Sequence, residues 1–248
     1  HFYNVNEKTE SVYTGDIDEY SPKNNKIIFC SKNKDTTVLE SGIYEFDLDT
    51  RKSRQLIDMD RMKSFSDTME QKFEPEIWRF DHAYWSPDTQ KIMFQIKADK
   101  GSNPEGDFIF YASADGSGVE YIGPKMMHVQ WWDNSTLFGH DWQQKKDKYM
   151  RRWNLHYEVV ETVCGSGNHG CPSPNKELIA TETWYGSDPI RLRLFKRGNS
   201  EPSEIIYEQT RNVAGRDFWE IHSHMHPSWS RDGSRVYFNA MPEKEGVS

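Results

Sequence analysis

A chain of 248 residues is long enough to bury a full core, and its mean hydropathy of −0.90 with 28% charged residues fits a fold that faces water. The net charge is −8 with no basic block, which sets aside general nucleic-acid binding, whose footprint is a basic stripe. No apolar run approaches the ~20 residues of a membrane helix, so membrane insertion is not expected.

Taken in chain order, the predicted elements are strands. Residues 1–15, HFYNVNEKTESVYTG, read as the outer two strands of a preceding blade. From Tyr20, YSPKNNKIIFCSK gives a polar turn and an apolar strand, and GIYEFDLDTRKSRQLI follows as a hairpin alternating about Asp-Thr. A short helix is expected near Asp58 to Gln71. The phrase returns as WSPDTQKIMFQIK from Trp85, followed by the hairpin DFIFYASADGSGVEYI. It returns as WWDNSTLFGHD from Trp131, then as PSPNKELIATETW from Pro172 with the hairpin IRLRLFKRGNSEPSEIIY, and last as WSRDGSRVYFNAM from Trp229. Pro-Asp, Asp-Asn, Pro-Asn and Asp-Gly supply the turn chemistry. Four strands per repeat, at spacings of about 65, 46, 41 and 57 residues, mark a β-propeller blade. The expected fold is therefore all-β, one propeller domain over 1–248 with blades starting near 20, 85, 131, 172 and 229. It is read as part of a seven-bladed propeller. A closed five-bladed ring, made by joining the two ends, is the alternative. The aromatic content of 14% suits pleated surfaces.

Histidines mark the repeat. His82, His128, His169 and His226 each stand three residues ahead of the aromatic or proline that opens a phrase. Equivalent positions of a circular repeat meet around one axis, so these four are expected to converge. His222, His224 and His226 form H-S-H-M-H, and in an extended chain residues two apart share a side. Imidazole suits zinc, manganese and related ions. With His169 from the adjacent blade, this is a candidate site for a divalent metal, manganese or zinc first. Glu220 is a candidate outer partner. A surface run of histidines, or core histidines satisfied by backbone, is the competing reading. His82 and His128 are candidate general bases, because a neutral imidazole near pH 7 accepts a proton; blade-capping hydrogen bonds would explain them equally.

The phrases NHGCPSPNKELIATETWY and HSHMHPSWSRDGSRVYFNA resemble the β-propeller polysaccharide lyases, the oligogalacturonate lyase family first and the ulvan lyases second. The resemblance spans roughly Asp81 to Ala240. It implies that His169, His224 and His226 hold a divalent metal and that His128 abstracts the proton. The family's glutamine, three residues ahead of the H-x-H pair, is Ile221 here, so His222 is an alternative fourth ligand. The partner so implied is an anionic, uronic-acid-containing oligosaccharide or polysaccharide, cleaved by β-elimination in the periplasm or outside the cell. Cytoplasmic action on imported oligosaccharides is the alternative location.

Around these histidines stand further candidates. Tyr185 is placed to donate a proton or bind sugar, and His140 and Asp141 end a strand at a similar level. Arg216 and Arg211, ahead of Arg151 and Arg152, are the cations expected to meet a uronate carboxylate through a bidentate fork. Trp142, Trp184, Phe218 and Trp219 are candidate sugar platforms. The three cysteines, Cys30, Cys164 and Cys171, cannot form a full disulfide framework. Free thiols, a Cys164–Cys171 bridge and a thiol near the metal all stay open. No G-x-S-x-G elbow, P-loop or dinucleotide fingerprint is present. The rivals to a lyase are a non-catalytic propeller binding glycan or peptide and a metal-dependent hydrolase or isomerase. The sequence leaves the oligomeric state open.

Overall fold

The computed structural model describes residues 2–4, 9–11, 16–21, 23–31, 40–67, 78–98, 107–124, 126–141, 149–183, 187–210, 212–213, 216–217 and 224–240. It is all-β apart from one short helix, and every described sheet is antiparallel. Two compact units divide at residue 124.

In the first unit, β1 (Phe2–Asn4) pairs with β2 (Thr9–Ser11). A four-stranded sheet follows from β3 (Asp16–Ser21), β4 (Lys26–Ser31), β5 (Gly42–Asp47) and β6 (Lys52–Asp58), in chain order across the sheet. Helix α1 (Met59–Ser66) starts where Asp58 caps it, accepting from the Arg61 N–H at 2.6 Å. Its Met62 is fully buried, and Phe65 meets Phe110 edge-on at 5.9 Å. The next meander is β7 (Trp78–Trp85), β8 (Lys91–Ala98), β9 (Asp107–Ser113) and β10 (Glu120–Pro124). Alternate residues of these strands point to the same face. Phe80, Phe94, Phe108 and Phe110 are fully buried there, each stabilising by about 1.5–3 kcal/mol.

The second unit repeats the plan. One sheet is β11 (Met126–Trp131), β12 (Thr136–Asp141), β13 (Tyr149–Asn154) and β14 (Val159–Ser166). The next is β15 (Gly170–Pro172), β16 (Leu178–Glu182), β17 (Ile190–Lys196) and β18 (Glu204–Gln209). Two-residue pairs complete it: β19 (Asn212–Val213) with β20 (Arg216–Asp217), and β21 (Ser228–Trp229) with β22 (Val236–Tyr237). Trp132, Phe138, Met150, Val163, Ile179 and Phe195 form one apolar cluster.

The repeated phrase is a hydrogen-bonded turn. Ser86 donates to Asp88 at 2.6 Å, Ser173 to Asn175 at 2.8 Å and Ser230 to Asp232 at 2.6 Å. Each serine Oγ in turn accepts an N–H at the entry to the next strand: those of Lys91 and Leu178, which open β8 and β16, and that of Arg235, just ahead of β22. The residue three after each serine takes positive φ: Thr89, Lys176 and Gly233. Only at Gly233 is that conformation free of side-chain cost. These turns lie at the end of a strand rather than at its start. The sheets therefore begin several residues ahead of the phrases, at Asp16, Trp78, Met126 and Gly170.

The helix, Met59–Ser66, falls within the predicted stretch, and residues 68–71 of that stretch lie outside the described residues. At the two ends, β1 pairs only with β2, and β21 only with β22, among the described residues. No helix among them is long and apolar enough to cross a membrane.

Candidate metal centre

The first strand of a sheet carries a β-bulge at the marked histidine. In β7 the register shifts between Phe80 and Ala83, around His82, and in β11 between Met127 and Gln130, around His128. A bulge adds one residue and re-aims a side chain, which is why such sites gather near functional centres. His128 sits at φ 53°, in the left-handed region where histidine is tolerated better than most residues. His226 takes φ 42°.

In the second unit the imidazoles converge. The His169 ring lies 3.9 Å from His128, 4.8 Å from His224 and 4.0 Å from His226, centroid to centroid. One ring nitrogen from each of His169, His224 and His226 lies within 4.8 Å of the others. Zinc bonds of about 2.0–2.1 Å in a tetrahedron set nitrogens roughly 3.4 Å apart. Small side-chain rotations close that difference, and all three donors are nitrogen, so the residues fit a divalent transition ion. His169 and His224 are half-buried and His226 is exposed, which leaves one side open.

A carboxylate lies beneath them. Glu182, the last residue of β16, is fully buried. Its Oε1 accepts from His169 Nδ1, from Asn168 Nδ2 at 3.1 Å and, more loosely, from His224 Nδ1 at 3.4 Å. Its Oε2 accepts the Met225 N–H at 2.6 Å. Burial alone would raise its pKa; the hydrogen bonds from His169, His224 and Met225 outweigh that and hold the carboxyl well below the usual range. The backbone agrees, since Asn168 N–H donates to Glu182 O at 3.0 Å and Glu182 N–H to His169 O at 3.3 Å. Gly167 makes this approach possible: a Cβ there would lie 1.9 Å from Thr181 Oγ1.

Sequence reasoning missed Glu182. The available signal was a charged residue at the end of an apolar strand, LIATE; buried charges are almost always paired. Glu220, proposed for the outer partner, lies outside the described residues, as do His222, Ile221, Tyr185, Arg211, Trp142, Trp184, Phe218 and Trp219. Arg216 is described only as part of β20. Arg151 is tied to Asp141 at 2.6 Å, and Arg152 to Glu161 at 3.2 Å, so these two are committed within the second unit. His140 and Asp141 are buried at the end of β12. Cys30, Cys164 and Cys171 are free thiols, and burial pushes Cys164 up to about 12, which makes it a poor thiolate donor.

His82 belongs to a different arrangement in the first unit. Its Nδ1 lies 3.2 Å from Asp18 and its Nε2 3.3 Å from Asp81, and Asp81 also receives Lys97 at 2.8 Å. Both ring nitrogens thus face carboxylates, a different setting from that of His128 against His169.

Neither a family model nor a curated protein sequence matches the chain. Solved structures do. An oligogalacturonate lyase in complex with manganese aligns at 14% identity and TM-score 0.58, over 86% of this chain and 58% of that one. The likeness is to the propeller fold. A second oligogalacturonate lyase, from Vibrio parahaemolyticus, aligns at 14% identity and TM-score 0.54, over 86% and 59%. The β-propeller domain of the trilobed protease from Pyrococcus furiosus aligns at 13% identity and TM-score 0.55, over 95% and 65%. The chain spans less than two thirds of the length of each. It is thus a propeller-like, all-β chain with a three-histidine cluster able to hold a divalent ion.

Proposed function

We propose that this chain carries the divalent-metal centre of a propeller that takes a uronate-bearing oligosaccharide or polysaccharide and cleaves it by β-elimination. The observation that carries the reading is the convergence of His169, His224 and His226, with the His128 ring 3.9 Å from that of His169. A bound divalent ion supplies charge neutralisation at the uronate carboxylate, which acidifies the adjacent proton. His169, His224 and His226 would hold that ion. His128 takes the C5 proton, and the glycosidic oxygen leaves from C4. Tyr185, Arg211 and Arg216 are proposed for the leaving-group and carboxylate contacts, and His222 for an additional ligand. Action in the periplasm or outside the cell, and membership of a seven-bladed propeller, are further parts of the proposal.

A second reading is a binding propeller for glycan or peptide, or a metal-dependent hydrolase or isomerase. The likeness to a protease's propeller domain at an equal level favours it, as does the commitment of Arg151 and Arg152 to internal ion pairs. Fold alone does not choose, because propellers host many activities. The deciding experiment incubates the protein with polygalacturonate or ulvan and Mn²⁺ and follows ultraviolet absorbance of the unsaturated product. A metal-loaded protein that gives no absorbance on either polymer supports the second reading.

A further inference from the structure

We infer that Glu182 is a positioning residue that sets the tautomer and aim of the histidine cluster, an inference that rests on the cluster holding a divalent ion. A carboxylate has only acceptors, so a ring nitrogen hydrogen-bonded to it must carry hydrogen. The Nδ1 atoms of both His169 and His224 face the same oxygen, Oε1 of Glu182. Each neutral ring then keeps its lone pair on Nε2, which makes Nε2 the atom free to ligate. One carboxylate therefore prepares two of the three donors for ligation through Nε2. Outer partners of this kind fix ring orientation and raise ligand basicity.

The third donor is reached through the backbone. Oε2 of Glu182 accepts the Met225 N–H at 2.6 Å, in the middle of the His224–His226 segment. Met225 is fully buried with Ile190 and Leu192, while the histidines on either side are left at the cluster. Asn239 holds the same segment from the other direction, donating Nδ2 to His224 O at 3.0 Å and its N–H to Met225 O at 2.8 Å. Glu182 is not itself offered as a ligand. It is fully buried, and both of its oxygens are engaged by other donors.

The test is Glu182→Gln. An amide keeps the size but presents a donor at one end. Turned to the rings, that donor favours Nε2–H and takes the lone pair from the ligating position; turned to Met225, it faces another N–H. Two measurements follow. Long-range ¹H–¹⁵N spectra of the metal-free wild type at pH 8 should show His169 and His224 as Nδ1–H tautomers. Titration calorimetry with Zn²⁺ and with Mn²⁺ should show affinity about 10–100-fold weaker in Glu182→Gln than in wild type. An Nε2–H signature for both rings in the wild type overturns the inference. So does a folded Glu182→Gln protein that binds both ions within about twofold of wild type. If the variant does not fold, the wild-type spectrum alone decides. If wild type binds neither ion, the metal reading fails, and the tautomer signature still judges the role of Glu182.

Discussion

Glu19 offers a test of the packing in the first unit that needs no substrate. It lies on β3, and its Oε2 accepts the Trp85 N–H at 2.6 Å. Burial, opposed by that hydrogen bond and reinforced by the negative charge of Asp18, pushes its pKa from 4.5 to about 7. Because the folded value exceeds the unfolded one for an acid, folding favours the protonated form. Below about pH 4.5 both states hold the proton and the protein has the full contribution. Between about 4.5 and 7 the unfolded chain ionises first, so stability falls with rising pH; above about 7 the loss is complete. At ~1.4 kcal/mol per pH unit the total is about 3 kcal/mol. Glu19→Gln keeps an acceptor for Trp85 and removes the titration. Urea denaturation at pH 4.5, 6 and 8 should show the wild type losing about 3 kcal/mol relative to Glu19→Gln across that range. Parallel pH profiles for the two proteins would refute the reasoning.

Among the imidazoles, His169→Ala and His226→Ala should abolish Zn²⁺ and Mn²⁺ binding in calorimetry, whereas His128→Ala should keep the ion and lose product absorbance. Loss of metal in His128→Ala would move His128 into the ligand set. Gly167→Ala should destabilise by about 1–3 kcal/mol in urea, because its Cβ would sit 1.9 Å from Thr181 Oγ1, and should weaken metal binding as the His169 turn is displaced. Phe110→Ala, which empties a fully buried site stacked on Phe94 at 5.4 Å, should cost about 3–5 kcal/mol by the same measurement.

The fold was legible where the interactions are local. Ser-x-Asp and Ser-x-Asn turns close within five residues, so the phrase around Ser86, Ser173 and Ser230 is written in adjacent letters. Strand alternation is equally local, and so is the Asp58 cap of α1. The convergence of His169, His224 and His226 was legible because repetition stands in for distance. What joins residues far apart was not. Glu182 meets Met225 across 43 positions, and His82 meets Asp18 across 64. Nothing next to either carboxylate signals its partner. Arg151 and Arg152 looked available in sequence, since their carboxylates, Asp141 and Glu161, stand on neighbouring strands. The bulges at His82 and His128 were not legible, because one extra residue breaks the phase of the alternation within strands too short for the break to stand out.

The three histidines of the candidate metal centre are distributed over neighbouring sheets. His169 leads into β15 and His224 and His226 lead into β21, while His128, the neighbour packed on His169, sits on β11. The seams between these sheets are held separately: Gln130 Nε2 donates to Gly170 O at 2.7 Å, and Trp229 Nε1 donates to Cys171 O at 2.9 Å. No single sheet owns a complete coordination set, so an ion seated here would act as a rivet through the stack. Parting one seam would dismantle the site without breaking any strand. Affinity for the ion thus becomes a gauge of how closely the sheets stand, and a substitution in a distant seam would register first as lost metal and only later as lost fold.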